Sequence, residues 1–163
     1  MARGIVTAVL FGMLLIIGCG KVPDMKQKSA FIVLKTPAMR YADQGFVYVG
    51  ADEVKAEIYG SGEALLRLTI GRSHICTGTF SCLEREVFNR RVFAADYPAD
   101  TLERIFRGKP LFDGQGVTEK RNGFTQKLSK PGKYDILYRV LKNETVFHDT
   151  INHIVIKIKT LRG

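Results

Sequence analysis

Three polar residues near the end of the chain are the best suited to acid–base or metal chemistry. His148, Asp149 and His153 are close in sequence, and histidine both titrates near neutral pH and binds metal ions. Side chains alternate between the two faces of a strand, so these histidines would lie on opposite faces of one strand or flank a turn after Asp149. We therefore interpret the three residues as a solvent-exposed loop and expect no metal ligand among them.

Other candidate catalytic groups are equally isolated. The paired carboxylates Glu84 with Glu86 and Asp96 with Asp100 fit the exposed surface or the first turn of a helix, where acidic side chains are favourable. Two glycine-containing segments lack the spacing of a nucleophile elbow, a phosphate loop or a dinucleotide fingerprint, and both are interpreted as turns. They are residues 60–62 and 114–116. The sequence therefore predicts a protein that is not an enzyme and binds no cofactor.

The beginning of the chain has the order of an export signal. Arg3 supplies a positive charge, residues 5–17 form an apolar run broken only by glycine and threonine, and small residues follow. The run is shorter than the ~20 apolar residues that span a bilayer, which favours a signal peptide. Residues 15–19 resemble the bacterial lipobox, and this resemblance implies cleavage before Cys19 and lipidation of Cys19. The alternatives are an uncleaved anchor helix and a plain signal peptide.

Two further cysteines, Cys76 and Cys82, are close in sequence. In an exported protein a pair of this kind indicates a disulfide that closes a small loop. Such a bond would stabilise the fold by roughly 2–3 kcal/mol. A metal site is the alternative, but zinc usually takes four ligands and only His74 lies nearby.

The charge of the chain favours an acidic partner or surface. Loss of residues 1–18 removes Arg3 and lowers the net charge from +9 to +8. A basic body suits anionic lipid headgroups, peptidoglycan carboxylates or an acidic protein, and export makes nucleic acid an unsuitable partner. Gly20, instead of an aspartate after the lipidated cysteine, favours transport to the outer membrane. We expect a lipid-anchored protein of the cell envelope, facing the periplasm at that membrane.

Alternating apolar and polar side chains predict an antiparallel sheet. The alternation is clearest in residues 54–59 and 64–70, which are separated by a glycine-rich turn. Further strands are expected on both sides of this pair and in the last third of the chain. The remaining predicted strands are residues 31–34, 45–49, 74–76, 123–128, 134–140 and 154–159.

The middle of the chain changes to helical spacing. Apolar residues recur every three or four positions over residues 83–94, and a second expected helix begins at Pro98 and ends at Gly108. We therefore expect an α+β fold: a curved antiparallel sheet, or incomplete barrel, with two central helices packed on its concave face. The expected organisation is a signal peptide (residues 1–18), a lipidated tether (19–29) and a single α+β domain (30–163).

This order of elements resembles the family of outer-membrane lipoprotein receptors that includes LolB. The correspondence rests on the lipobox, on residues 45–70, on the helix with its Gly-x-Pro exit at residues 102–111, and on residues 123–140 and 154–159. The resemblance implies an incomplete antiparallel barrel lidded by helices. It also implies an apolar cavity that receives the acyl chains of other lipoproteins.

Two features depart from the family. Its receptors carry a protruding loop with an exposed leucine, whereas the turn at residues 60–63 is short and Leu65 and Leu66 are the nearest apolar residues. The loop is either absent or replaced by those leucines. The pair Cys76 and Cys82 is also not a feature expected of a receptor.

The leading hypothesis is therefore a lipoprotein that binds acyl chains or acylated lipoproteins and assists their localisation at the outer membrane. Its partners would be acylated cargo or a periplasmic carrier, besides the membrane itself. Nine inward-facing residues are the candidate lining of the cavity, although the same residues would look identical in a filled core. They are Phe46, Tyr48, Ile58, Leu66, Leu68, Ile105, Phe106, Phe124 and Tyr138.

The alternative hypothesis is a non-enzymatic envelope lipoprotein that serves as an interaction or structural module. It would bind a protein complex or the cell wall through basic residues such as Arg90, Arg91, Arg104 and Arg107. This hypothesis predicts a filled core and a contiguous basic patch, whereas the acyl-binding hypothesis predicts empty apolar space.

Overall fold

The structure, a computed structural model, describes residues 24–79 and 81–161. The expected signal peptide and Cys19 lie outside the described residues. Within them the chain forms one sheet of eleven strands. The strands are β1 (Lys26–Lys35), β2 (Arg40–Val49), β3 (Val54–Gly60), β4 (Glu63–Ile70), β5 (His74–Thr77), β6 (Ser81–Glu84), β7 (Val117–Lys120), β8 (Gly123–Lys130), β9 (Tyr134–Leu141), β10 (Glu144–Asp149) and β11 (Ile154–Thr160).

The strands follow a simple order and every neighbouring pair is antiparallel. The order across the sheet is β6-β5-β4-β3-β2-β1-β11-β10-β9-β8-β7. Strand β1 pairs with β2 on one side and with β11 on the other, so the first and last strands lie together at the centre. The short strands β6 and β7 form the two edges.

Burial alternates along the strands as the sequence pattern predicts. Every second residue of β3 is buried, beginning at Val54, and the same holds for β4 from Leu66 to Ile70. At Gly45 in β2 an added Cβ would lie 1.8 Å from the carbonyl oxygen of Glu57. Only glycine permits β2 and β3 to approach so closely at this point.

Within residues 24–79 and 81–161, helical structure is confined to short turns between β6 and β7. The α-helices are α1 (Arg85–Phe88) and α2 (Thr101–Arg107), a π-helical turn spans Asn89–Phe93, and a 3₁₀ turn spans Phe112–Gly114. The turn after α1 ends at Ala94, which has a left-handed backbone, and α2 ends at Gly108 in the same conformation.

The expected α+β class, with two central helices packed on the sheet, is wrong. The described part of the chain is mostly sheet, with 55% of its residues in strands and 14% in helices. The helical spacing over residues 83–94 correctly marks Phe88 and Val92 as buried. It does not fix the backbone, because a single α-helical turn that continues into a π-helical turn presents the same side chains to the core. Leu83 belongs to strand β6.

Strand β1 begins at Lys26, inside the segment expected to be a tether. Residues 26–29 are exposed on β1 but pair with residues 46–49 of β2. Their polar composition indicates an exposed strand end as readily as a tether, since backbone pairing does not require apolar side chains.

Between β6 and β7 the chain crosses the inner face of the sheet, and we call residues 85–116 the inner segment. Its buried apolar side chains belong to the same core cluster as those of the strands. Helix α2 contacts both β3 and β10, which are four strand spacings apart, or about 19 Å across a flat sheet. A helix is only about 10–12 Å wide, so the sheet must bend around α2.

Candidate functional site

A pocket of about 160 Å³ opens between the end of α2 and the inner face of the sheet. We call it the mouth pocket. Its apolar wall combines residues from five elements, and its rim carries the exposed amines of Lys28 and Lys142. The apolar residues of the wall are Ala30, Val47, Val49, Phe106, Val140, Leu141 and Ile158.

The way α2 ends positions this pocket. Gly108 has a φ of 64°, and a Cβ added there would lie 3.3 Å from Cγ1 of Val140. The glycine therefore lets the chain leave the helix close to β9. Phe106, two residues earlier, is 7% exposed and lies between the mouth pocket and the rest of the core.

The mouth pocket is small for a lipid. Pockets that enclose drug-sized ligands measure about 300–1,000 Å³, so 160 Å³ accommodates only the end of an acyl chain. A longer chain would need the space that the inner segment occupies. How firmly the inner segment is attached to the sheet therefore decides what the interior can bind.

One attachment is a chain of charged side chains. The Arg85 guanidinium donates to the Gly71 carbonyl, with Nε 2.8 Å from the oxygen, and to Glu103 at 2.7 Å. Glu103 also accepts from Arg107 at 2.8 Å, and Arg107 donates to the Gly50 carbonyl at 2.8 Å. The two arginines thus connect the inner segment to the turns after β2 and β4.

A second attachment joins the inner segment to the turn between β10 and β11. The Tyr97 hydroxyl donates to Asp149, whose carboxylate also accepts from the Asn152 amide at 2.8 Å and from the backbone N–H of Asp135 at 3.1 Å. Burial alone would raise the pKa of Asp149, but these hydrogen bonds outweigh it and the pKa falls below its ordinary value. Burial, followed by the bond to Asp149, raises the pKa of Tyr97.

A buried amide provides the third attachment. Gln126 on β8 is fully buried, and its side chain accepts from the Leu111 N–H at 2.9 Å and donates to the Leu111 carbonyl at 2.7 Å. The same amide donates to the Gln115 carbonyl at 2.6 Å. A buried amide with all these partners fixes the loop on either side of the 3₁₀ turn.

Backbone pairing contributes to these attachments only at the two ends of the inner segment. The Arg85 N–H donates to Ser73 and the Lys127 N–H donates to Gly116, each at 3.2 Å. In the described part of the chain, residues 86–115 make no backbone–backbone hydrogen bond to a strand. The inner segment is therefore held by side chains and apolar packing, which can separate without breaking the ladder of the sheet.

The nine residues expected to line a cavity fall into three groups. Phe106 lines the mouth pocket, and six others are buried in the continuous core. Those six are Ile58, Leu66, Leu68, Ile105, Phe124 and Tyr138. These six side chains therefore belong to the packed apolar core, and of the nine candidates Phe106 is the one that lines the mouth pocket.

The last two, Phe46 and Tyr48, lie on the outer face of the sheet. On β2 the inward positions are Gly45 and Val47, so residues of the opposite parity point away from the core. The Tyr48 hydroxyl is 3.4 Å from the Glu57 carboxylate, and the ring centroids of Phe46 and Tyr48 are 6.2 Å apart. Residues 46–49 are all apolar, so the sequence of β2 gave no alternation from which to choose a face.

The histidine-rich turn is built differently from the expected loop. His148 is exposed at the end of β10, and His153 is exposed in the following turn. Asp149 between them is buried and anchors Tyr97. The described residues contain no group of three or more His, Cys, Asp or Glu side chains that could hold a metal ion.

Cys76 and Cys82 face each other across β5 and β6. Their sulfur atoms are 2.06 Å apart, at bonding distance, and the two residues are direct partners in the ladder. The bond links the edge strand β6 to its neighbour.

The basic residues of the alternative hypothesis do not form one free patch. Arg104 pairs with Asp100 and Arg107 pairs with Glu103, whereas Arg90 and Arg91 are exposed. Two of the four arginines are therefore engaged within the fold.

Comparison with known proteins leaves the family open. No protein-family model matches the chain, and no curated protein matches it at a significant level. The resemblance to the LolB family therefore stays a prediction from the order of elements. Along the stretches that the structure describes, no helix has both the length and the apolar character needed to cross a membrane.

Proposed function

We propose that this chain is a membrane-anchored lipoprotein that shields acyl chains, free or attached to other lipoproteins, inside its bent sheet. The observation that carries the proposal is the mouth pocket, where the apolar inner face of the sheet is open beside Phe106. An acyl chain end would enter there and extend inward as the inner segment moves aside. The lipobox-like segment at residues 15–19 supports attachment to the membrane that supplies the acyl chains.

The free energy needed to move α2 away from the sheet sets a minimum length for the acyl chain that can bind. Withdrawal of α2 would expose Leu102, Ile105 and Phe106, which are at most 7% exposed, at about 2 kcal/mol each, or about 6 kcal/mol together. An acyl chain gains about 0.8 kcal/mol for each CH₂ removed from water. A chain of about eight carbons only offsets the displacement, whereas a palmitoyl chain leaves a surplus of about 6 kcal/mol.

The test is photo-crosslinking of the full chain in neutral detergent with a palmitic acid that carries a diazirine near its methyl end. Peptide mass spectrometry then maps the labelled residues. We expect labelling in α2 and at the ends of β9 and β11, and little labelling by an eight-carbon analogue. Labels scattered over the outer face, or equal labelling by both chain lengths, would contradict the proposal.

A matched pair of variants distinguishes acyl binding in the mouth pocket from acyl binding on the outer face of the sheet. Val140 lines the mouth pocket and is half-buried, so Val140→Glu places a charge beside the acyl chain and should reduce labelling about tenfold. Val155 is half-buried on the outer face of β11, and Val155→Glu should leave labelling unchanged. Equal effects of the two substitutions would show that labelling does not report the mouth pocket.

One observation favours the alternative, an interaction or structural module of the envelope. Six of the nine candidate cavity residues are buried in one continuous apolar cluster, which fits the filled core that this hypothesis predicts. If a cooperatively folded chain shows no acyl labelling, this alternative is favoured, and the binding site would lie on the surface of the protein.

A further inference from the structure

A second pocket, of about 420 Å³, lies at the end of the sheet opposite to the mouth pocket. We call it the aromatic pocket. Strand β9 contributes to both, with Tyr134 at the aromatic pocket and Leu141 at the mouth pocket. The strand separates them by about 24 Å, so the two pockets are independent sites. The volume of the aromatic pocket falls within the range of small-ligand sites.

Aromatic rings form the floor of this pocket. The rings of Phe112 and Tyr134 are half-buried, and their centroids are 5.3 Å apart. Tyr97 lies beneath them, 6.3 Å from Phe112 and 6.4 Å from Tyr134. Because the Tyr97 hydroxyl is bound to Asp149, the lowest ring of the floor is fixed in place.

The loop that presents Phe112 is strained and held rigidly. Phe112 has a φ of 47° and Asp113 a φ of 54°, in the left-handed region that side chains with a Cβ rarely adopt. The buried Gln126 holds the backbone on both sides of this turn, at Leu111 and at Gln115. Strain of this kind persists only where the surrounding structure enforces it, and it clusters at binding sites. The Phe112 ring is therefore preorganised on the pocket floor.

Charged side chains surround the aromatic floor. Three are cationic, Arg90, Lys130 and Lys133, and two are acidic, Glu86 and Asp96. All five are exposed. Within the described residues none of them forms an ion pair, in contrast to the arginines on the opposite side of the inner segment. The pocket thus carries a net positive charge and hydrogen-bonding groups that the fold itself does not use.

We propose that the aromatic pocket binds an acidic saccharide, a sugar ring bearing a carboxylate. The apolar C–H face of the ring would stack on Phe112 and Tyr134. The carboxylate would be bound by Lys133 or Arg90 through charge-assisted hydrogen bonds. Sugar hydroxyls would donate to Glu86 and Asp96. This ligand class matches all three kinds of group in the pocket, and the proposal is independent of acyl binding.

The test is saturation-transfer NMR on the full chain in neutral detergent micelles, with empty micelles as the blank. The ligands are N-acetylmuramic acid, glucuronic acid, neutral N-acetylglucosamine and an acetylated tripeptide with two glutamates. We expect both acidic sugars to bind about fivefold more tightly than the neutral sugar, with saturation strongest at the ring C–H protons. Preference for muramic acid over glucuronic acid would indicate cell wall as the source, and equal binding would indicate acidic sugars in general. A tripeptide that binds as tightly as the acidic sugars would overturn the proposal.

Substitutions at exposed positions keep the test interpretable. Lys133→Gln should weaken binding of the acidic sugars about fivefold and leave the neutral sugar unaffected. Lys142→Gln, an equally exposed lysine at the mouth pocket, is the matched control and should change neither. Phe112→Leu should lower the saturation of the ring protons for every sugar. Equal losses from Lys133→Gln and Lys142→Gln, or no acidic preference in the original chain, would refute the proposal.

Discussion

Phe106→Ala is the substitution that best separates a displaceable interior from a filled core. Phe106 is 7% exposed and forms the boundary between the mouth pocket and the core. Phe93 is the matched control, since it is 1% exposed and packs against Phe88 and Tyr97 with ring centroids 5.9 and 5.8 Å apart. Each residue becomes alanine in the test.

The two substitutions should lower the free energy of unfolding by different amounts, because water can fill the space left by the Phe106 ring but not the space left by the Phe93 ring. Loss of a buried phenylalanine costs about 3–5 kcal/mol, and the value rises with the empty volume that remains. At Phe106 the space joins a pocket that is already open, so water enters and the free energy of unfolding should fall by about 3 kcal/mol. At Phe93 the space stays closed and apolar, and the loss should be about 5 kcal/mol.

The assay combines urea unfolding with acyl photo-labelling of the same variants. Phe106→Ala should lose stability and yet label more strongly with the palmitic acid probe, because the mouth pocket becomes larger and α2 is held by less apolar surface. Phe93→Ala should lose more stability with no increase in labelling. If both variants lose the same stability and neither gains labelling, the mouth pocket is not an acyl site.

Three further predictions follow from the attachments and the cysteines. Tyr97→Phe should lower the free energy of unfolding by about 2 kcal/mol, as measured by urea unfolding. The Asp149 carboxylate contributes its full stabilisation of the fold at pH values above its ordinary pKa of 3.8, and the Tyr97 hydroxyl does so at pH values below its ordinary pKa of 10.0. The loss of stability caused by Tyr97→Phe should therefore shrink in strong acid and in strong alkali. Replacing Cys76 and Cys82 by serine should cost about 2 kcal/mol and remove the effect of reductant on unfolding. Cys19→Ala should abolish acylation and membrane fractionation, and unchanged attachment would refute the lipobox interpretation.

The sequence predicts the strands that have one buried face. In β3 and β11 every second residue is apolar and buried, so both the strand and its inner face follow from the pattern. The pattern fails at β7, where residues 118–120 are exposed on both faces. Edge strands of this kind carry no alternation, because backbone pairing alone maintains them. The same reason applies to the edge strand β6. Strand β10 lies inside the sheet between β9 and β11, but its buried positions are Phe147 and the polar Asp149, so it shows no run of alternating apolar residues.

The structure of the inner segment is predicted only in part by its sequence pattern. Helical spacing predicts only some of its buried apolar residues and misses Phe93 and Tyr97, and it does not show how short the helices are. The contacts that attach it are between residues far apart in sequence, such as Tyr97 with Asp149 and Arg107 with Gly50. No local pattern encodes such pairs, and the sequence around Asp149 predicts an exposed loop although its carboxylate is buried.

The same long-range contacts help to decide whether an acyl chain can replace the inner segment against the sheet. The apolar face of the sheet is covered in either case, by the inner segment or by an acyl chain, and the apolar contribution alone favours a bound palmitoyl chain by about 6 kcal/mol. The deciding contributions are the polar attachments at Arg85, Tyr97 and Gln126, which exist only while the inner segment is seated. If all three were broken together, at about 1–2 kcal/mol each, even a palmitoyl chain would retain only a small surplus. An acyl-binding protein would therefore release the inner segment from one side and keep the buried Gln126 contacts. Hydrogen exchange at the Leu111 N–H, which the Gln126 side chain binds, should then stay slow when palmitic acid is bound.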